Sequence, residues 1–171
     1  MSGSLITCVL TVVLSFLATN MVSAPKAPPA PIQISFSNSR EVICVYNVRG
    51  ASADRVKVQL LGYGKNLCTV TKDWDGGMDA LLALTERAST EANRTQLKPE
   101  KSDRWRKLTI RYSKGGVRHS FSIEGELNEL FKFFSNTVDL KALLTLVSSD
   151  APKAYRLIFL GGDLRDTMVR P

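Results

Sequence analysis

The sequence predicts an α+β fold: a mainly antiparallel sheet of about five or six strands, two helical segments packed on one face, and an N-terminal apolar helix ahead of them. Three observations carry that expectation. Short runs with period-two alternation recur through the first half of the chain, two alternating runs flank Gly115-Gly116, and apolar residues recur at helical spacing over 79–92 and 125–147.

The strands come in order. Ile32 to Phe36 (IQISF) alternates, and Glu41 to Tyr46 (EVICVY) is β-branched and largely apolar, as suits a central strand. Asn47 to Asp54, which contains Gly50, reads as a turn region. Val56 to Leu61 (VKVQLL) alternates again, with Lys57 and Gln59 on the wet side. Leu67 to Thr71 (LCTVT) forms a short strand after Gly62 and Gly64.

Asp75 and Asp79 then precede DALLALTERASTEA, whose Leu81, Leu82, Leu84 and Ala88 make one apolar stripe. Acidic residues favour a helix N-terminus, so a helix starts there. The polar stretch 93–106, broken by Pro99, is an exposed connection.

The clearest local signal is KLTIRYSKGGVRHSFSIE, Lys107 to Glu124. A two-residue turn at Gly115-Gly116 makes residues whose numbers sum to 231 face each other. Leu108, Ile110, Tyr112, His119, Phe121 and Ile123 then share one face, with Lys107 opposite Glu124 at the open end. Sliding one strand by one residue would turn its apolar set to water. Helix follows over 125–147, either one bent helix or two with a cap at Thr137 or Asp139. Tyr155 to Leu160 (YRLIFL) reads as a last strand, ended by Gly161-Gly162.

The domain organisation rests on composition. The first 24 residues contain no Lys, Arg, Asp or Glu, so the net charge of +7 belongs to the chain from Pro25 onward. Leu5 to Val22 falls between the length of a signal-peptide core and that of a spanning helix. Val22-Ser23-Ala24 has the small-x-small form of a cleavage site, although Pro25 behind it fits a peptidase poorly. Residues 1–24 are therefore expected to be a signal peptide or an N-terminal membrane anchor. Residues 25–31 form a Pro/Ala-rich linker, 32–162 a single globular domain, and 163–171 a tail. The protein is expected to be exported, periplasmic or secreted, or anchored by an uncleaved N-terminal helix.

Cys44 and Cys68 lie in the domain and Cys8 in the leader. In an oxidising compartment the pair reads as a disulfide on neighbouring strands, stabilising the fold by about 3 kcal/mol. Two independent buried thiols are the alternative.

Catalytic patterns fail on inspection. The single histidine, His119, falls on the core side, and Ser120 and Ser122 point away from it, so no base–nucleophile pair forms. In Asp73-Trp-Asp-Gly-Gly-Met-Asp79 the glycine comes too early for a calcium loop and the closing acid is missing. Neither glycine pair is followed by the Lys-Ser/Thr of a phosphate loop. Asn93-Arg94-Thr95 matches a glycosylation acceptor and marks a surface loop. No metal or cofactor is expected.

Charge is more informative. Between Lys98 and Arg118 eight basic residues face only Glu100 and Asp103, a net +6 in one window. Arg104, Trp105, Arg106, Arg111, Lys114 and Arg118 are the candidate contact residues for an anionic partner: an acidic protein face, a lipid head group or an acidic glycan. Nucleic acid is disfavoured, because the aromatic residues lack a stacking pattern. The expected function is an exported, non-enzymatic binding module, accessory, inhibitory or scaffolding, that docks such a partner on its basic hairpin. The alternatives are a membrane-tethered structural subunit of a larger envelope or organelle complex, and an enzyme working through carboxylates such as Asp73, Asp75 and Asp163 without histidine.

Overall fold

Period-two alternation becomes a six-stranded sheet in the computed structural model, which describes residues 30–93 and 105–156. The strands are β1 (Ile32–Asn38), β2 (Val42–Ser52), β3 (Arg55–Gly62), β4 (Lys65–Asp73), β5 (Trp105–Lys114) and β6 (Val117–Glu126). The helices are α1 (Gly77–Asn93), α2 (Leu127–Asn136) and α3 (Val138–Ser148), with a 3-10 turn at Lys153–Tyr155. The expected apolar helix and most of the linker, residues 94–104 of the polar stretch, the end of the proposed last strand (157–160) and the tail lie outside the described residues, while Asn93 ends α1 and Trp105 and Arg106, expected in the connection, begin β5. Within them, no helix is long and apolar enough to cross a membrane.

Every strand pairs antiparallel, in the order β4-β3-β2-β1-β5-β6. The chain starts at the middle and meanders outward through β1 to β4. Helix α1 then carries it back across one face, and the β5–β6 hairpin adds to the free side of β1. Among the described residues three helices accompany the sheet, because the segment over 125–147 is two helices rather than one bent helix. Two corrections emerge. The turn placed over 47–54 shrinks to Ala53-Asp54, because β2 runs on to Ser52 through a register shift between Gly50 and Ser52. Tyr155, read as the start of a strand, closes the 3-10 turn instead.

The core follows from alternation. Ile32, Ile34 and Phe36 of β1, Cys44, Tyr46 and Val48 of β2, and Val56, Val58 and Leu60 of β3 are buried on one face. Leu108, Ile110, Tyr112, Phe121 and Ile123 continue that face across the hairpin. Its register is the expected one, Leu108 opposite Ile123, Ile110 opposite Phe121 and Tyr112 opposite His119. Burying each large apolar side chain stabilises by about 1.5–3 kcal/mol, whereas a surface ion pair adds about 0–1 kcal/mol. Burial therefore sets the register, and the Lys107–Glu124 pair at 3.2 Å only agrees with it.

The helices cover this face. Leu81, Leu84, Ala88 and Ala92 of α1, Leu130, Phe133 and Phe134 of α2, and Leu140, Leu143, Leu144 and Val147 of α3 are buried against it. The break between α2 and α3 falls at Thr137, which has extended backbone (φ −104°, ψ 121°). Its hydroxyl donates to the carbonyls of Phe133 and Phe134, each at 3.3 Å, and so occupies acceptors at the end of α2.

Candidate functional site

Every described helix packs on one face, the described residues leave the other face of the sheet open, and the even spacing along the strands sorts the basic residues of the hairpin. On β5 the odd-numbered residues face outward, and on β6 the even-numbered ones do. Arg111 and Arg118 accordingly lie on the open face, as expected, and so does Trp105 at the far end of β5.

The other candidates do not join them. Arg106 has the parity of Leu108 and Ile110, so it turns toward the helix side. It is half-buried, its Nη1 donates to the Trp105 carbonyl at 2.8 Å, and desolvation pulls its pKa below the ordinary value. Lys114 also turns that way and pairs with Glu86 of α1 at 2.5 Å. That hydrogen bond and charge raise the Lys114 pKa and lower that of Glu86. Arg104 lies outside the described residues. The six residues thus do not form one contact face, and Arg111 and Arg118 remain as its basic nucleus.

Arg111 stands opposite Ser120, and Arg118 opposite Ser113, which makes the two arginines diagonal neighbours on adjacent strands. A recess of about 270 Å³ opens beside them, lined among others by Gln33, Tyr112, Ser113 and His119. Arg111 is held in place: its Nη1 donates to Gln33 Oε1 at 3.3 Å. Gln33 Nε2 donates in turn to Asn47 Oδ1 at 3.1 Å, and Asn47 Nδ2 to Gln59 Oε1 at 3.4 Å. This ladder crosses β5, β1, β2 and β3 in one row of the sheet. A second row, one step nearer the β2–β3 turn, brings Arg49 directly opposite Lys57.

Both lay outside the basic window along the chain, so charge counting missed them. Period-two parity within β3 already put Lys57 on the wet side; only the pairing of β2 with β3 reveals the two cations together.

His119 stacks on Tyr112, with ring centroids 4.9 Å apart and planes at 18°, and, although it has the core-side parity expected, it is exposed. Ser120 is on the opposite side of the strand, so it does not pair with the imidazole. Asp73 pairs with Arg55 at 2.9 Å on the open surface, and Asp163 lies outside the described residues. Among the described residues no group of three or more His, Cys, Asp or Glu could hold a metal ion.

The disulfide expectation is corrected. Both cysteines are free, Cys44 buried on β2 and Cys68 half-buried on β4. Strand β3 runs between them. Two strand spacings amount to about 9.6 Å, beyond the roughly 7 Å limit between bridged Cα atoms.

No family model matches this chain, and no curated protein or solved structure matches it.

Proposed function

We propose that this protein is an exported, non-enzymatic binding module that docks an anionic partner on the open face of its sheet, around Arg111 and Arg118. One observation carries the reading: two guanidinium groups sit on adjacent, paired strands of the hairpin with no acidic partner for either among the described residues. An unneutralised, preorganised cation pair concentrates and orients oxyanions, and Arg matches carboxylate, sulfate or phosphate through its planar fork. Trp105 stands at the other end of β5 and is peripheral to this nucleus.

The test is salt-dependent retention of the full-length chain on a sulfated matrix. Arg111→Glu with Arg118→Glu is expected to release the protein at markedly lower salt while thermal unfolding stays unchanged. Equal retention of wild type and variant would overturn the reading. The fate of residues 1–24 is checked separately by the mass of the mature chain: a new terminus near Ala24 marks a cleaved leader, and an intact terminus a retained anchor.

A further inference from the structure

The open face carries a second cation pair, and its placement says more about the partner. Arg49 on β2 and Lys57 on β3 are directly opposed, an arrangement that disfavours strand pairing. Neither has an ion-pair partner among the described residues. On the same face Asp73 is paired with Arg55 at 2.9 Å.

Arg118, Ser113, Arg49, Lys57 and Thr71 fall in one row across the strands, where Pro31 of the chain leading into β1 accepts the Ser113 N–H at 2.9 Å. The next row is Ser120, Arg111, Gln33, Asn47, Gln59 and Thr69. The four cations thus make a band running perpendicular to the strands. From Arg118 on β6 to Lys57 on β3 it spans four strand spacings, roughly 19 Å.

We infer that this band is a binding track for a linear acidic polysaccharide carrying carboxylate or sulfate groups, lying across the strands. The inference rests on the proposed function and extends it from the hairpin to β2 and β3. Three features of the two rows select this partner. The cations are spread along a line rather than gathered around one point, which suits repeated charges on an extended chain. Between them stand only neutral amides, hydroxyls and Pro31, and the amides and hydroxyls match the hydroxyl groups of sugars. Neither row holds an aromatic side chain on which a base could stack, or a large apolar one that could enter a bilayer.

The experiment measures binding of the full-length chain to defined polygalacturonate and dextran sulfate fragments over a range of salt. A neutral glucan, single-stranded DNA and anionic phospholipid vesicles serve as comparisons. Arg49→Gln with Lys57→Gln is expected to weaken glycan binding about tenfold and to reduce the slope of log K against log salt by about 2, one per lost contact. Removing opposed like charges leaves the fold at least as stable, which thermal unfolding checks. Preference between the two glycans identifies the acidic group. Glycan binding that is lost in the Arg111/Arg118 variant but unchanged in the Arg49/Lys57 variant would overturn the track and leave the hairpin reading standing. Binding unchanged in both would overturn both. Tighter binding to DNA or vesicles than to either glycan would overturn the choice of partner.

Discussion

The carboxylate of Glu91, near the end of α1, accepts the backbone N–H of Leu140 in the first turn of α3 at 3.0 Å. Its other oxygen accepts from Val138 and Asp139 at 3.2 and 3.4 Å. The first N–H groups of a helix have no partner within it, and here an acid from another helix supplies one. Thr137, the residue in the cap position, makes no side-chain cap. The contact therefore joins a local need to a tertiary one, because it also fixes how α1 and α3 pack.

Glu91→Ala is expected to destabilise the fold by about 1–2 kcal/mol, the usual cost of losing an N-cap. Urea denaturation measures it. Glu91→Gln keeps an acceptor and should recover part of the loss.

Lys72 does the complementary work at the other end of α3. Its ammonium donates to the Leu146 carbonyl and the Ser149 hydroxyl, and it pairs with Asp150 at 2.8 Å, with its side chain only 9 % exposed. A cation there satisfies a terminal carbonyl and complements the helix dipole. Lys72→Met keeps most of the apolar stem and is expected to cost about 1.5–3 kcal/mol, as for a hydrogen bond to a charged group. A loss as small as that of an exposed lysine would show that the contact is dispensable.

Gly77 opens α1 with φ +55°, and a Cβ there would meet the Ala53 carbonyl oxygen at 2.0 Å. Gly115, at φ +57° in the β5–β6 turn, has open space around it. Gly115→Ala is expected to cost about 1 kcal/mol from backbone strain alone. Gly77→Ala adds the clash with the β2–β3 turn and should cost more than about 3 kcal/mol. Thermal unfolding of the two variants separates strain from contact.

Burial pushes the Cys44 thiol up from 9.0 to about 12, against a smaller downward pull from its hydrogen bond with the Phe36 backbone. Burial likewise raises the Tyr46 hydroxyl, which donates to the Tyr155 carbonyl. Above pH 9 the unfolded thiol ionises while the folded one keeps its proton. Stability from Cys44 is therefore complete below pH 9 and is lost as pH rises toward about 12. Denaturation midpoints should fall with alkaline pH, less steeply in Cys44→Ala. A thiol reagent at about pH 8 should modify the half-buried Cys68 well before Cys44, as peptide mapping would show.

Two of the six residues singled out by charge density form the open basic site, and the reason Arg106 and Lys114 do not join them is geometric. Arg106 and Lys114 are close to Arg111 in sequence, but an odd number of residues separates opposite faces of a strand, and five and three place them on the helix side. Density along the chain does not register that parity unless it is read with the strand.

Period two and period 3.6, the glycine turn and the apolar count were sufficient for the sequence alone to determine the existence of the strands of the first half (though not the length of β2), the hairpin register and helix α1. All of these are local, set by alternation and by contacts between residues near in the chain. Only the tertiary structure decided that β5 pairs with β1, that β3 stands between Cys44 and Cys68, that Glu91 caps α3, and that Arg49 faces Lys57 beside Arg111 and Arg118. Each joins segments whose individual patterns fit several partners. The choice among them comes from burying all the apolar faces at once against the helices, a condition that no single stretch of sequence contains.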